Sequence, residues 1–221
     1  MINYKNKIGL TLVEIMIVVA VIAILIAMTI GIAARIDIQA KKQLTENTFA
    51  LLDAALGQFK DYGYTYNSPY DVFDLPLDCN DFAENDLEDT LETALGLSSG
   101  DVDITGDNND VYSGCEVMYF FLSRVPESKK TLDKIDRKLV TNAGLNATTL
   151  EIEVNSKKYP LLRVIDPWGE TLRYDYYSYE KPPPLNSTDV QNMKDSRKTF
   201  PIITSAGPDR KFGSADDITS R

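Results

Sequence analysis

An almost unbroken apolar run over residues 15–34 is the feature that most constrains this chain. As a helix, about 20 residues rising 1.5 Å each match the ~30 Å hydrocarbon core of a bilayer. Residues 1–9 contain Lys5 and Lys7 and no acidic residue, which favours a cytoplasmic N-terminus. A secretory signal peptide would have a shorter apolar core followed by a small-residue cleavage site. The sequence therefore predicts one membrane anchor that remains attached, with a polar domain after it.

A single acidic residue, Glu14, stands at the head of the apolar run. An ionisable group in or beside a membrane span is unfavourable by on the order of a few kcal/mol. Thr11 and Glu14 have the spacing of a capping box, in which Thr11 is the N-cap and Glu14 reaches back to it. The other explanation is that Glu14 has a cationic partner within the bilayer. Spacing alone favours the capping box.

After the anchor, the apolar pattern narrows to one side of a helix. Positions suited to burial recur at intervals of three and four, at Leu44, Thr48, Leu51, Ala55 and Phe59. This spacing is typical of an amphipathic helix. We predict one continuous helix from about Thr11 to Lys60, ~75 Å long.

The rest of the chain combines short helices with strands. Leucines four residues apart predict a helix over 85–97, and residues 128–143 also have helical spacing. Residues 112–125 are strongly apolar and fit either a helix or a strand. Alternation over 150–154 predicts a strand, and the segments 161–165 and 171–177 predict a hairpin.

Residues 166–169 form the turn of that hairpin, and residues 200–205 give the last strand. We therefore expect an α+β fold. In it, the long N-terminal helix packs on one small antiparallel sheet of about four strands.

Composition excludes several classes of function. The formal net charge is −10, from 33 acidic and 23 basic residues, whereas nucleic-acid binding needs a basic face. The chain has no histidine, which removes the commonest general base and the imidazole metal ligands. No nucleophile–base pairing or nucleotide-binding loop is evident, so we expect neither an enzyme nor a nucleic-acid-binding protein. Oxygen ligands are plentiful, and calcium is the metal that they suit.

An acidic loop near the C-terminus is the main candidate for such a site. Gly207 and Gly213 allow tight turns, and Asp209, Asp216 and Asp217 bring three carboxylates to one loop. Calcium takes six to eight oxygens, some of them main-chain carbonyls. The residues leave two interpretations open, a calcium site or an ordinary solvated acidic segment.

The chain has two cysteines, Cys79 and Cys115. A disulfide between them is plausible outside the cytoplasm. Two unrelated buried thiols fit the sequence equally well, because sequence cannot place the two side chains together.

The N-terminal pattern, Gly9 followed by Leu10-Thr11-Leu12-Val13-Glu14 and a long apolar helix, resembles the class III signal of type IV pilins and type II secretion pseudopilins. The resemblance implies that a prepilin peptidase cuts after Gly9 and N-methylates Leu10. It also implies that Glu14 neutralises the free amine of a neighbouring subunit during filament assembly, which reverses the preference for a purely capping role. Most members of the family have phenylalanine where this chain has Leu10.

The C-terminal acidic loop and the segment 166–169 resemble the calcium loop of the major, G-type pseudopilins and the segment before it. This resemblance implies that Asp209, Asp216 and Asp217 are calcium ligands. A hydroxyl of Ser205 or Ser214 and a carbonyl near Ile218 would complete the shell. The middle of the chain is longer than in a compact G-type protein.

Together these expectations divide the chain into a leader, 1–9, an anchor, 10–34, and a periplasmic pilin-like head, 35–221. We expect a single-pass protein of the bacterial inner membrane and a structural subunit of a type II secretion pseudopilus. Its partners would be the prepilin peptidase/methyltransferase, copies of itself, other pseudopilins and an inner-membrane assembly platform. The alternatives are a type IV pilin or minor pilin, and an anchored calcium-dependent binding module that does not polymerise.

Overall fold

The computed structural model describes residues 11–63, 87–106, 110–175 and 201–220, leaving out a few side chains, among them those of residues 28–34. Its first element is α1 (Leu12–Tyr62), one helix of 51 residues. This confirms the predicted continuous helix. The helix ends at Gly63, whose positive φ of 65° suits the residue after a helix and whose N–H donates to the carbonyl of Lys60.

The chain divides into two compact units, Met1–Lys41 and Lys42–Arg221. In the first unit, the apolar side chains that the structure describes on α1 are exposed, among them Leu12, Ile17 and Leu25. Asp37 and Lys41 form an ion pair one turn apart, at 3.1 Å. Within the described part of the chain, no helix is long and apolar enough to cross a membrane.

In the second unit, the rest of α1 buries one face. Phe49, Leu52, Ala55, Leu56 and Phe59 are all buried and belong to one hydrophobic core. Leu44 and Leu51 are partly buried against it. The predicted amphipathic face is therefore confirmed.

In the described part of the chain, α1 is followed by α2 (Leu87–Leu95), α3 (Asp110–Arg124) and α4 (Pro126–Leu132). α2 confirms the helix predicted over 85–97, and Gly96 closes it with a φ of 66°. α3 shows that the apolar segment over 112–125, which fitted either a helix or a strand, is helical as far as Arg124. Its residues from Val117 to Leu122 are buried on every side of the helix, so no amphipathic period marks it.

The helix expected over 128–143 is wrong beyond Leu132. α4 ends at Leu132, and a 3-10 turn at Arg137–Leu139 leads into a strand. The carboxylate of Asp136 accepts a hydrogen bond from the backbone N–H of Lys138. This side-chain cap starts a new element where helical spacing alone predicted continuation.

Within the described residues, eight short strands form three antiparallel sheets, where the sequence predicted one sheet of about four strands. They are β1 (Val102–Thr105), β2 (Val140–Thr141), β3 (Glu151–Val154), β4 (Lys157–Pro160), β5 (Arg163–Val164), β6 (Arg173–Asp175), β7 (Ile202–Ser205) and β8 (Ile218–Thr219). The sheet orders are β1-β3-β4, β2-β5 and β6-β7-β8. A mixed fold with a long N-terminal helix and antiparallel sheets is compatible with a pilin-like architecture.

The predicted hairpin around residues 166–169 is present in short form. Ile165 bridges Thr171, and the N–H of Leu172 donates to the carbonyl of Val164 at 3.0 Å. Beyond this bridge the two arms separate, because β5 pairs with β2 and β6 pairs with β7. The hairpin therefore connects two sheets.

Candidate functional site

The start of α1 forms the capping box that spacing predicted. The N–H of Thr11 donates to Glu14 Oε2 at 2.8 Å, and the Thr11 hydroxyl donates to the same oxygen at 2.8 Å. In return, the N–H of Glu14 donates to Thr11 Oγ1 at 3.3 Å. Gly9 and Leu10, the predicted cleavage and methylation positions, lie outside the described residues.

The C-terminal acidic loop joins β7 to β8 and is organised by its own carboxylates. Asp216 Oδ2 accepts from the N–H of Asp209 at 3.0 Å, and Asp217 Oδ2 accepts from the N–H of Gly213 at 2.7 Å. Asp209 Oδ1 accepts from the N–H of Lys211 at 2.8 Å. Each of the three predicted ligands thus already holds a backbone N–H of the loop.

Two of these three carboxylates converge. The hydroxyl of Ser214 donates to Asp216 Oδ1 and also lies 3.4 Å from Asp217 Oδ1. The hydrogen bond from Ser214, and then the one from the backbone of Asp209, lower the pKa of Asp216 below its usual value. Asp209 contacts this cluster through its backbone N–H, which donates to Asp216 Oδ2. Within the described ranges, no three acidic, histidine or cysteine side chains are arranged to hold a metal ion.

Gly207 fixes where the loop closes. Its φ is +67°, and a Cβ built there would lie 3.0 Å from the carbonyl carbon of Asp216 and closer still to its oxygen. Only glycine allows the two backbone segments to approach in this way. The approach places the start of the loop against the residue whose carboxylate accepts from Ser214.

Sequence reasoning missed the link that ties this loop to the turn at residues 166–169. Asp166 Oδ2 accepts from the hydroxyl of Ser205 at 2.7 Å, and Ser205 Oγ in turn accepts from the N–H of Gly207 at 3.1 Å. Asp166 Oδ1 accepts from the N–H groups of Trp168 and Glu170. An aspartate at the first position of a turn signals the local bonds, but nothing in the sequence signals Ser205. Ser205 therefore serves the turn, whereas Ser214 lies with the carboxylates.

A buried ion pair was missed as well. Arg163 Nη1 lies 3.3 Å from Glu116 Oε1, and the two side chains are 5% and 0% exposed. Of the other guanidinium nitrogens of Arg163, Nε donates to Thr171 Oγ1 and Nη2 donates to the carbonyl of Ala143. The Cζ of Arg163 lies 3.7 Å from the ring centroid of Tyr112. These contacts join α3 to the hairpin. A buried pair of this kind is weak evidence for net stability, because the loss of hydration of the two charges offsets their attraction.

A disulfide between Cys79 and Cys115 stays a prediction, because Cys79 lies outside the described residues. Cys115 is buried in α3, and its Sγ lies 3.4 Å from the backbone nitrogen of Val164 in β5.

Comparison with protein families bears on the N-terminus. The family model "Prokaryotic N-terminal methylation motif" matches residues 4–30, a segment that includes Gly9, Leu10 and Glu14. The match supports a type IV pilin-like or pseudopilin family and suggests a membrane-anchored protein. It implies processing by a prepilin peptidase and assembly with other pilin-like subunits. No curated protein and no solved structure matches the chain.

Proposed function

We propose that this chain is a structural subunit of a type II secretion pseudopilus, without catalytic activity. After cleavage behind Gly9 and methylation of Leu10, it would assemble from the bacterial inner membrane. It would span that membrane once, with its N-terminus cytoplasmic and its head periplasmic. Packing of the apolar half of α1 between copies and other pseudopilins, on an inner-membrane platform, would drive secretion across the outer membrane.

The match to the methylation motif over residues 4–30 carries this proposal. The exposed apolar side chains of α1 and the single acidic residue at its start add support. The same motif also fits a type IV pilin or minor pilin for adhesion, motility or DNA uptake. Deleting the gene separates these two, since loss of a secreted enzyme activity with intact pili favours the pseudopilus.

Processing is tested by mass spectrometry of the mature protein isolated from membranes. We expect its first residue to be N-methylated Leu10. A mature chain that still begins at Met1 would refute the pilin-like proposal and favour an anchored binding module that does not polymerise.

The role of Glu14 in assembly can be separated from its role in the capping box. Glu14→Gln keeps a side chain that serves at this position of a capping box, but it removes the charge. Thr11→Ala removes the N-cap, a loss of about 1 kcal/mol of helix stability, and keeps the charge. We expect Glu14→Gln to abolish filament assembly and Thr11→Ala to leave it intact. Equal defects in the two variants would mean that Glu14 acts through the cap.

We further propose that calcium binds the C-terminal acidic loop. The donor set is entirely oxygen, which suits a hard cation. The carboxylates of Asp216 and Asp217 approach a common hydroxyl on Ser214, so like charges lie together where a cation would relieve them. Asp209 is the third candidate ligand. Bound calcium would hold the loop between β7 and β8, so binding would add to folding stability.

The calcium test uses asparagine, because the aspartates also accept backbone N–H groups that alanine would leave unpaired. We expect calcium at 100 times its Kd to stabilise the wild type by about 2.7 kcal/mol. Asp216→Asn with Asp217→Asn should remove this gain and leave the stability in chelator nearly unchanged. A double variant elsewhere, Asp101→Asn with Asp103→Asn, is the control. An equal calcium response in both double variants would exclude the loop as the site.

A further inference from the structure

A groove of about 360 Å³ lies between α3, α4 and β4 in the second unit. Its apolar lining includes Phe120, Leu132, Tyr159 and Leu162, and its charged lining residues are Arg124, Lys129 and Asp133. The groove therefore combines aliphatic and aromatic side chains with two cations and one carboxylate, on a chain whose net charge is −10.

Arg124 is the distinctive residue of the groove. Its Cζ lies 4.4 Å from the ring centroid of Phe120 and 4.8 Å from that of Tyr159. Cation–π contacts of this kind hold a guanidinium in place. Among the residues that the structure describes, no carboxylate lies within 4.0 Å of this guanidinium, whereas Lys129 pairs with Asp133 at 3.1 Å. Arg124 therefore keeps a positive charge that its described surroundings do not neutralise.

The two cation–π contacts prepare Arg124 to bind a carboxylate. Its Cζ lies over both rings, and the N–H groups of a guanidinium form a planar fork that matches a carboxylate. Because the side chain is already positioned, less conformational entropy is lost on binding. The charge of Arg124 therefore favours an anionic ligand at the part of the groove that Arg124 lines.

The rest of the groove fits an aliphatic side chain next to that carboxylate. Leu132 is buried and Leu162 is partly buried, and both line the groove. The exposed Lys129–Asp133 pair offers a donor and an acceptor to peptide groups. In the described part of its sheet, β4 is an edge strand. An extended peptide carries carboxylates, aliphatic side chains and amides within a few residues of one another.

We propose that this groove docks an acidic peptide segment of a partner protein, with a carboxylate on Arg124 and a neighbouring aliphatic side chain against Leu132 and Leu162. The recognition is independent of the N-terminal motif and of the C-terminal acidic loop. It adds a binding surface on the head to the proposed assembly role of α1.

The test is a fluorescence anisotropy titration of the full chain in a mild detergent. The probe is a fluorescein-labelled peptide of alternating glutamate and leucine, compared with the same peptide in which every glutamate is glutamine. We expect the acidic peptide to bind and the glutamine peptide to bind at least about tenfold more weakly, because a neutral amide cannot form the charge-assisted pair with the guanidinium.

Three variants locate the contact. Arg124→Gln should weaken binding of the acidic peptide at least about tenfold, and Arg124→Lys should fall between it and the wild type because an ammonium lacks the planar fork. Lys138→Gln removes the same charge from an exposed position outside the groove. It should change the affinity by less than about twofold, because salt screens distant charges. Circular dichroism checks that each variant is folded, and Arg124→Lys carries the test if Arg124→Gln is not.

The proposal is overturned if Arg124→Gln or Arg124→Lys binds the acidic peptide as the wild type does, or if the glutamine peptide binds equally. It is also overturned if N-acetylglutamate competes at the concentration at which the peptide does, since the ligand would then be a small carboxylate. Sedimentation velocity tests the remaining possible occupant, a second copy of this chain. Self-association that Arg124→Gln abolishes would show that a second copy fills the groove.

Discussion

Replacing Asp166 should destabilise the head more than replacing any exposed acidic residue. Asp166 is 2% exposed, and its two oxygens accept three hydrogen bonds. The donors are the N–H groups of Trp168 and Glu170 and the hydroxyl of Ser205. Asp166→Ala removes all three bonds at once and leaves the donors without their acceptor.

The magnitude follows from the burial of those donors. A buried donor left unsatisfied is unfavourable by about 1–3 kcal/mol. Ser205 and Trp168 are buried and Glu170 is partly exposed, so Asp166→Ala should lower the free energy of unfolding by about 3–5 kcal/mol. Asp166→Asn keeps an oxygen for the two N–H groups and loses only the acceptor for Ser205. Its effect should be about 1–2 kcal/mol.

Urea unfolding of the full chain in a mild detergent measures both values. Trp168 is the single tryptophan, it is 8% exposed, and its own N–H belongs to the network. Its fluorescence therefore reports the transition directly. Asp136→Ala, which removes an exposed cap on the N–H of Lys138, is the control and should lose no more than about 1 kcal/mol. A loss under 1 kcal/mol for Asp166→Ala, or equal losses for the alanine and asparagine variants, would refute this account of Asp166.

Two further predictions concern the loop and α3. Gly213→Ala should lower the free energy of unfolding by about 1–2 kcal/mol, because alanine is strained at a φ of +84°. No further loss is expected there, since no atom lies within 4 Å of the added Cβ. Gly207→Ala should lose at least about 1 kcal/mol more in the same urea assay, because it adds a backbone clash with Asp216. Burial, and then the charge of Asp133, raise the pKa of Tyr119 to about 12 from 10.0. Its contribution to stability is therefore complete below pH 10 and lost as the pH rises towards 12, and Tyr119→Phe should flatten the fall measured by urea unfolding in that window.

The helices were predictable where burial is one-sided. The amphipathic half of α1 has apolar residues three and four apart, and α2 has leucines four apart before Gly96. α3 lacked that signal because residues such as Val117 and Tyr119, which lie on opposite sides of the helix, are both buried. A helix buried all round and a buried strand are both continuous apolar runs, so local pattern cannot separate them.

The division into three sheets was not predictable from local pattern. β1 pairs with β3, so Val102 lies opposite Val154. In the sequence, β1 is part of an acidic stretch with few apolar residues, and only its distant partner identifies it as a strand. Local reasoning found the strands of the last third and then assigned them to one sheet, because it could not see that partner.

The candidate site was predictable in its residue types but not in its connections. Asp209, Asp216 and Asp217 stand close together in the sequence, and in the structure Asp216 and Asp217 approach one hydroxyl. The bond between Asp166 and Ser205 spans 39 positions. Contacts of that range depend on the packing of β6 and β7, which no local spacing encodes.

The geometry at the start of α1 also changes how the two explanations of Glu14 relate to each other. The donors that meet Glu14 Oε2 are a backbone N–H and a hydroxyl, both neutral, so the capping box orients the carboxylate without neutralising its charge. Around it, Leu12 is 76% exposed and Val13 is 63% exposed. When that apolar surface is buried against lipid or another helix, the remaining charge still needs a cation. In the proposed filament, the cap and a cationic partner would therefore be successive requirements on one side chain, and the capping box would hold Glu14 in position for the amine of its neighbour.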